Sequence, residues 1–285
     1  MIKVVGGLIA IAVAAAIGIF GGHYFSSNHT RLTRLSAPLA ALIGAKLPPA
    51  PSHVIIVVEE NKEYGDIAGK RRAAPYLNDL ISRGALFTRS YGVAHPSQPN
   101  YLALFAGITD SNGDGCPPHG IDTNAPNLAT ELRAVHRTFA GYAEGLPQPG
   151  SRACWSGEYG RKHVPWADFD NVLPSENLPL TALPANYDAL PTVSFIIPDM
   201  LDDMHSASIA RGDAWLREHV GPIVDWAMTH NALVIVTWDE SDDAIDNHIP
   251  TIFAGPMVRS GRYDEPLNHY RVLRTIEDLY KTGHA

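Results

Sequence analysis

The feature that most constrains the fold is the alternation, from His53 onward, of short apolar runs with longer amphipathic segments. Runs without polar interruption are typical of strands buried on both faces, as in parallel sheets flanked by helices. The β-α-β-α order predicts an α/β fold with a doubly wound, mostly parallel sheet and helices on both faces. The predicted strands are Val54–Val58, Thr138–Tyr142, Thr192–Ile197, Leu233–Thr237 and Thr251–Ala254, and the predicted helices are Ala74–Arg83, Asn100–Phe105, Asn127–Val135, Ser208–Thr229 and Tyr270–Tyr280.

Residues 1–25 are predicted to direct export and not to join the fold. Lys3 precedes an unbroken apolar run from Val4 to Phe20, and a cation before such a run is typical of export signals. The run is at the lower edge of the roughly 17–25 residues that span a bilayer. It is therefore either an uncleaved signal-anchor, a membrane helix holding the protein at the periplasmic or extracellular face of the inner membrane, or a cleaved signal peptide. Residues 26–52 are expected to form a tether and residues 53–285 the folded domain.

The charge balance argues against one class of partner. The chain has 22 Lys and Arg against 30 Asp and Glu, a net charge of −8. Proteins that bind nucleic acid by neutralising phosphates need an excess of basic side chains. We therefore expect no nucleic-acid partner.

The two cysteines, Cys116 and Cys154, lie in segments rich in Gly and Pro. In the oxidising compartment that an export signal implies, they could pair as a disulfide. The chain-entropy model gives such a crosslink roughly 4 kcal/mol of stabilisation. The alternative is two separate thiols, and a zinc site would need more Cys or His at close spacing.

Acidic side chains follow three of the predicted strands. Glu60 comes after the first, Asp199 after the third, and Asp239 and Glu240 after the fourth. Open α/β sheets bind ligands at the carboxyl ends of their strands, so these four side chains are expected to converge there. Carboxylates that share a cleft raise one another's pKa or bind cations.

Two histidines lie near these acids in the sequence. His205 follows Asp199 by six residues, and His248 follows Glu240 by eight. Carboxylate with imidazole suits a divalent transition metal, whereas carboxylate and amide oxygens alone suit harder ions. Among 13 histidines, any single one is more readily explained as structural or exposed. Their placement beside the acids is what favours a metal site.

Ser97 is the candidate nucleophile. It lies in HPSQPNY, directly before the apolar segment LALFAG. A hydroxyl at a helix N-terminus lies where anions are favoured; the alternative is a cap or turn residue, with His95 as its structural neighbour. A Ser-His-Asp hydrolase is not favoured, because the chain has no G-x-S-x-G nucleophile elbow.

Six segments, taken in order, resemble a known family: VVEENKEYGDI, HPSQPNYLALFAG, PNLATELRAVHRTFAGYAEGLP, IIPDMLDDMHSASI, VTWDESDDAIDNHIPTIFAGP and NHYRVLRTIEDLY. They are similar to the bacterial phosphoesterase family, which includes acid phosphatases and phospholipases C with an alkaline-phosphatase-like fold. The resemblance extends from about His53 to Tyr280 and implies hydrolysis of a small phosphate ester by an acid-phosphatase-like phosphomonoesterase. A phospholipase C or phosphodiesterase of the same family is one alternative, and a membrane-tethered binding protein without turnover is another.

The resemblance also implies roles for individual residues. Ser97 would be the nucleophile, forming a phosphoseryl intermediate, and Asn100 would donate to a phosphoryl oxygen. His163, in a segment that resembles the family's substrate pocket, would contact the phosphate. The implied ligands of one or two divalent metals are Glu60, Asn61, Ser97, Asp239 and Glu240 for the first ion, and Asp199, His205 and His248 for the second.

One departure from the wider superfamily bears on the metal. The related nucleotide pyrophosphatases carry Asp-His where this chain has Asp239-Glu240, and Asp where it has Glu60. More carboxylate oxygens make the first site harder. Calcium, manganese, magnesium and iron therefore become alternatives to zinc there, and the second site could be empty or only partly occupied.

Overall fold

A computed structural model describes residues 50–109, 113–242 and 246–285 of the chain. The predicted apolar N-terminal segment, with the tether up to residue 49, lies outside the described residues. Within the described ranges, no helix combines the length and apolar character needed to cross a membrane.

Helices and strands alternate along the described chain. The α-helices are α1 Tyr64–Ile67, α2 Pro75–Arg83, α3 Ser97–Ala106, α4 Leu128–Ala134, α5 Ile209–Trp215, α6 Gly221–Ala227 and α7 His269–Tyr280. The strands are β1 His53–Glu59, β2 Ala85–Tyr91, β3 Phe139–Ala143, β4 Trp155–Ser156, β5 Tyr159–Gly160, β6 Asn177–Pro179, β7 Val193–Ile197, β8 Ala232–Trp238, β9 His248–Ala254, β10 Gly261–Tyr263 and β11 Leu267–Asn268.

The large sheet is mixed and mostly parallel, as predicted. Its strand order is β10-β2-β9-β8-β1-β7-β3-β6, with β11 also beside β2. Strand β1 is parallel to both β7 and β8, whereas β9 is antiparallel to β8 and to β2. Since β1, β7 and β8 are parallel neighbours, the residues that follow them lie at one edge, called here the carboxyl edge.

Helices cover both faces of the sheet. Successive strand residues point to opposite sides, so each central strand contributes side chains to two cores. On one face, Ile56 and Phe195 belong to a core that includes Tyr101 of α3 together with residues of α4 and α7. On the other face, Ile55 and Val57 belong to a core with residues of α2, α5 and α6. Full burial of the central strands explains their nearly continuous apolar sequence.

Strand β2 is not predicted by the sequence analysis. Its sequence ALFTRSY contains a single β-branched residue, Thr88, and an exposed Arg89. The register between β2 and β9 also shifts between Phe87 and Ser90. An irregular strand with exposed and half-buried polar residues lacks the apolar run that identifies the central strands.

A small hairpin of β4 and β5 is tied to the loop after α3. Cys116 and Cys154 form a disulfide, which confirms that the two cysteines pair. The backbone N–H of Met200, in the loop after β7, donates to the carbonyl of Glu158 at the hairpin turn, at 3.1 Å. The hairpin therefore lies at the carboxyl edge.

Candidate active site

Glu60 follows β1 at the carboxyl edge, and Ser97 begins α3 opposite it. Ser97 Oγ lies 3.1 Å from Glu60 Oε2 and 3.0 Å from Glu240 Oε1, and all three side chains are buried. Ser97 is the first residue of a ten-residue helix, where unpaired N–H groups and the helix dipole favour an anionic oxygen. The hydroxyl therefore has two carboxylates to accept its proton and a helix terminus that favours its anion.

The other oxygen of Glu60 accepts a hydrogen bond from one ring and lies close to a second. Tyr101 OH donates to Glu60 Oε1 at 2.7 Å, and His163 Nε2 lies 3.1 Å from the same oxygen. The rings stack with their centroids 5.1 Å apart and their planes 17° from parallel. On the far side of the imidazole, His163 Nδ1 lies 3.5 Å from Asp203 Oδ2. One oxygen of Glu60 is thus engaged by neighbouring side chains, while the other faces Ser97.

Asp239 enters the site from the end of β8. Its Oδ1 accepts a hydrogen bond from the backbone N–H of Asn61 at 3.2 Å, and Asn61 has a left-handed backbone with φ 51°. The backbone carbonyl oxygen of Asp239 lies 2.5 Å from Nε2 of His269, the first residue of α7. The remaining side-chain oxygen, Oδ2, is buried and accepts no hydrogen bond from any described residue.

Burial raises the pKa of the carboxyl groups in this site. For Glu60, burial and then the charge of Asp203 raise the pKa to about 8. For Asp239, burial and then the charges of Glu60 and Glu240 place the pKa well above its usual range. Burial likewise raises the pKa of Asp203 to about 8. Without a cation, these acids retain protons near neutral pH; a bound cation would favour their ionised forms.

Side-chain donors that could hold a divalent cation lie around Ser97. Glu60, Asp239, Glu240 and Ser97 supply buried oxygens that are linked by direct contacts, and Asp239 Oδ2 has no hydrogen-bond donor in the described structure. Oxygen ligands of this type suit calcium, magnesium or manganese. In addition, Glu60, His163 and Asp203 each offer a ligand atom within 4.8 Å of the others. These groups suit a divalent metal without selecting one element.

Two basic side chains, Lys162 and His95, border the site. Lys162 Nζ lies 2.8 Å from Asp114 Oδ2, and Asp114 Oδ1 accepts from the backbone N–H of Gln98 at 2.9 Å. Asp114 therefore connects the start of α3 to Lys162, whose positive charge opposes the rise in the pKa of Glu60. His95 Nδ1 contacts Glu240 Oε2. His95 therefore contacts a site residue directly, whereas the sequence predicted only a structural neighbour of Ser97.

The structure does not bring the second predicted ligand set together. Asp199 lies with Glu144 and Asp202 in a separate, half-buried acidic group, and its Oδ1 accepts backbone N–H groups of the following turn. His205 lies near the first site, with its ring 6.1 Å from that of His163. Asp199 and His205 therefore do not lie around one common position for the second ion that the resemblance implies.

His248 lies in a third place. Its Nε2 contacts the backbone carbonyl of Thr88 at 3.0 Å, and its ring stacks between Tyr64 and Tyr91, with centroids at 4.6 and 5.1 Å. The reason is topological: β9 is antiparallel and separated from β1 by β8. His248 therefore packs against the end of β2, away from Asp199.

Asn100 fixes the loop that carries Ser97. Its Oδ1 accepts from the backbone N–H groups of Val93 and Ala94 at 2.8 and 3.1 Å. Its Nδ2 donates to the carbonyls of Ala94 and Pro96 at 2.9 and 3.3 Å. Both hydrogens of the amide are engaged, so the implied contact with a phosphoryl oxygen would require one of these bonds to open.

Three residues of the site are absent from the sequence-based set: Tyr101, Lys162 and Asp203. Tyr101 could have been found, since it lies four residues after Ser97 and therefore on the same face of a helix. Lys162 precedes His163, but nothing in the sequence links it to Asp114. Asp203 belongs to the same DMLDD run as Asp199, and the sequence alone does not say which of its acids faces Glu60.

Comparison with known proteins agrees with this geometry. A sequence profile described as the Phosphoesterase family matches residues 68–282, which is most of the chain. The chain belongs to the Phosphoesterase family. It is 47% identical over 256 residues to the phosphatidylinositol-3-phosphatase of Mycobacterium tuberculosis, covering 88% of this chain and 84% of that protein. These matches identify the phosphoesterase as a phosphoric ester hydrolase.

More distant relatives place the fold. The phosphoesterase is 29% identical over 239 residues to an acid phosphatase of Aspergillus fumigatus, covering 76% of this chain and 52% of the fungal protein. It thus spans about half the length of that relative. It also superposes on a Vibrio parahaemolyticus protein of the alkaline phosphatase superfamily with a TM-score of 0.56 and 13% identity, covering 81% of this chain and 68% of the other. This superposition confirms the predicted alkaline-phosphatase-like fold.

Proposed function

We propose that the phosphoesterase is a divalent-metal-dependent phosphomonoesterase in which Ser97 is the nucleophile. The observation that carries the proposal is the buried Ser97 Oγ between Glu60 Oε2 and Glu240 Oε1, at 3.1 and 3.0 Å. A serine hydroxyl is a weak nucleophile until a neighbouring group removes its proton or a metal lowers its pKa. Both kinds of activation suit this donor set.

The reaction proceeds in two balanced steps. Ser97 Oγ attacks phosphorus, its proton passes to Glu240 or Glu60, and the bond from phosphorus to the leaving oxygen breaks. The released alcohol takes this proton from the carboxyl group, and Ser97 carries a phosphoryl group. Water then attacks the phosphoserine, which restores the hydroxyl and releases inorganic phosphate. The N-terminus of α3 faces the negative charge throughout.

The metal would be held by Glu60, Asp239, Glu240 and Ser97. When bound, a divalent cation supplies charge neutralisation at the phosphoryl oxygens and lowers the pKa of an attached hydroxyl. The chain itself orients the Glu60 carboxylate, because Tyr101 donates a hydrogen bond to Glu60 Oε1 and the His163 ring packs beside it. We also propose that Asn61 joins the ligand set; the predicted contact of His163 with the phosphate would require one ring nitrogen to leave Glu60 or Asp203.

The relative from Mycobacterium tuberculosis suggests the substrate class. That protein is named a phosphatidylinositol-3-phosphatase, and the identity extends over most of both chains. We propose that this phosphoesterase likewise removes a phosphate from the phosphorylated headgroup of an inositol lipid. Soluble monoesters such as p-nitrophenyl phosphate present the same phosphoryl group and are expected to be hydrolysed as well.

Replacing the nucleophile tests the proposal. We expect Ser97→Ala to lower kcat for p-nitrophenyl phosphate by at least about a thousandfold, as removal of a nucleophile does in other hydrolases. The exposed Ser82→Ala on α2 is the matched control and should retain activity. Metal content, measured by elemental analysis, should change little in Ser97→Ala, since three carboxylate ligands remain. Turnover retained by Ser97→Ala would contradict the assignment.

The substrate panel separates the alternatives. A bis-ester and phosphatidylcholine are assayed beside the monoester, with Mn, Zn, Ca, Mg and Fe supplied in turn. Preference for the bis-ester or phosphatidylcholine would replace the proposal with a phosphodiesterase or phospholipase C. No release from any ester would favour a binding protein without turnover.

We also propose that the phosphoesterase is exported. The Cys116–Cys154 disulfide supports this, because disulfides persist mainly in oxidising compartments. Treating intact cells and lysates with a thiol-reactive polyethylene glycol measures the redox state directly. We expect no modification before reduction and two additions after it. Two reactive thiols before reduction would contradict export.

A further inference from the structure

A cationic turn follows the site along the chain. Lys70, Arg71 and Arg72 are consecutive and exposed, and none of them forms an ion pair with a described residue. The turn is ordered by backbone hydrogen bonds, because Ala73 and Ala74 both donate to the carbonyl of Lys70, at 3.0 and 2.9 Å. Three positive charges are therefore presented to solvent from a defined backbone.

This turn lies at the edge that carries the site. It connects Glu60, through α1, to the start of α2. Helix α2 runs back across the sheet, since its last residue, Arg83, precedes β2 by one residue. The beginning of α2, and the turn before it, therefore lie at the carboxyl edge, on the face covered by α2.

An exposed indole lies at the same edge on the other face of the sheet. Trp155 is 55% exposed, the most exposed large hydrophobic side chain among the described residues. It belongs to the β4–β5 hairpin, whose Tyr159 packs into the opposite core. The Trp155 ring lies over Gly160, next to the stem of Lys162, and Lys162 borders the site.

We propose that the active-site edge docks on an anionic lipid surface through Lys70, Arg71, Arg72 and Trp155. The inference rests on the proposed function, because an ester carried by a lipid must be reached at a bilayer. The cationic turn and the indole lie at the same edge, on opposite faces of the sheet, so a surface laid across that edge and touching both covers the site.

The chemistry of each element fits a bilayer. Tryptophan favours the boundary between headgroups and acyl chains, because its ring is apolar and its N–H is polar. A cation near an anionic membrane contributes about 1 kcal/mol. In a chain of net charge −8, the cationic turn is attracted to a negative surface that repels the protein as a whole.

Vesicle binding by the full chain tests the proposal. Sedimentation compares phosphatidylcholine vesicles with vesicles that also contain phosphatidylserine. Any contribution of the apolar run Val4–Phe20 is common to both kinds, so the gain on adding phosphatidylserine is the quantity measured. We expect Arg71→Gln/Arg72→Gln to reduce this gain about thirtyfold at low salt and little at high salt. Arg137→Gln/Lys281→Gln, two exposed cations at the opposite edge, is the charge-matched control.

The indole is tested in the same assay. We expect Trp155→Ala to weaken vesicle binding at both low and high salt, because burial of its ring is not screened. Leu173→Ala removes another exposed large side chain, 47% exposed, beside the C-terminal end of α4. It is expected to leave binding unchanged. Equal losses from Trp155→Ala and Leu173→Ala would overturn the role of the indole.

The remaining outcomes also test the docking proposal. An unchanged gain in Arg71→Gln/Arg72→Gln, or an equal loss in the opposite-edge control, would overturn the proposal. If Arg71→Gln/Arg72→Gln loses as much affinity for soluble inositol hexakisphosphate as for vesicles, the turn is a general polyanion site. That result would overturn docking on a membrane surface. Hydrolysis of p-nitrophenyl phosphate, measured on the same samples, keeps the two proposals separate. Its absence in the wild type would refute the proposed function while leaving the binding result intact.

Discussion

At the scale of single residues, the site depends on the different neighbours of the two carboxylate oxygens of Glu60. Oε1 is engaged by Tyr101 and His163, and Oε2 faces Ser97. A carboxylate held at one oxygen offers the other in a fixed direction, which orients it toward a nucleophile and a cation. Groups that hold metal ligands in this way commonly affect metal affinity as strongly as activity.

Tyr101→Phe tests this division. The variant keeps the buried ring and removes the hydroxyl that donates to Glu60. We expect the dissociation constant for Mn²⁺, measured by calorimetry, to rise about tenfold, and activity to recover at high metal concentration. Tyr159→Phe removes a buried hydroxyl that has no hydrogen-bond partner in the described structure, and should leave metal affinity unchanged. Equal affinities in the two variants would show that Tyr101 does not position Glu60.

At the scale of elements, a loop, a disulfide and a hairpin hold one side of the site. The loop residue Asp114 bonds both the start of α3 and Lys162. Two residues later, Cys116 is bonded to Cys154 at the base of the hairpin. The backbone N–H of Arg161, just past the hairpin, returns to the carbonyl of Cys154 at 3.0 Å. These links fix Lys162 and His163 relative to α3.

Removing the crosslink tests its contribution. We expect Cys116→Ser/Cys154→Ser to lower the free energy of unfolding by up to about 4 kcal/mol, because the unfolded chain regains loop entropy. Urea unfolding followed by circular dichroism measures the change. Dithiothreitol should destabilise the wild type by a similar amount and leave the double variant unaffected. A wild type insensitive to dithiothreitol would contradict a stabilising disulfide.

At the scale of the whole molecule, the site concentrates acidic groups inside an acidic protein. Burial raises the pKa of Glu60 and of Asp203 to about 8 each, whereas their usual values are 4.5 and 3.8. In the metal-free protein the folded state therefore holds protons that the unfolded chain has released. The stability they contribute is fully present at low pH and is lost as pH rises through about 8.

Metal and pH are expected to be linked accordingly. Between about pH 6.5 and 8, the free energy of unfolding of the metal-free protein should fall by up to about 1.4 kcal/mol per pH unit for each retained proton, and its melting temperature should fall with it. Saturating Mn²⁺ should abolish this fall, because it stabilises the ionised carboxylates. Glu60→Gln, which removes one titrating group, should make the metal-free curve shallower. Parallel curves with and without metal would refute the linkage.

Much of the fold was accessible from local sequence, because buried parallel strands need continuous apolar residues. The predicted helix Ser208–Thr229 shows where local patterns end. The structure divides it into α5, a π-helical segment over Leu216–Val220, and α6. Pro222 lacks the N–H that would continue the regular hydrogen bonds, and the N–H of Gly221 bonds five residues back to Leu216. The apolar periodicity passes through this irregularity unchanged.

The expected place of Asp199 among the other strand-end acids is not observed, because it lies in a separate acidic group. For Glu60, Asp239 and Glu240, local sequence was enough to expect a common edge of the sheet. That inference holds because parallel neighbours end together. Only the tertiary structure decided that Asp203 faces Glu60, and that His248 packs against the end of β2. Those choices depend on the path of a loop and on the antiparallel direction of β9, which are set by contacts between segments far apart in the chain.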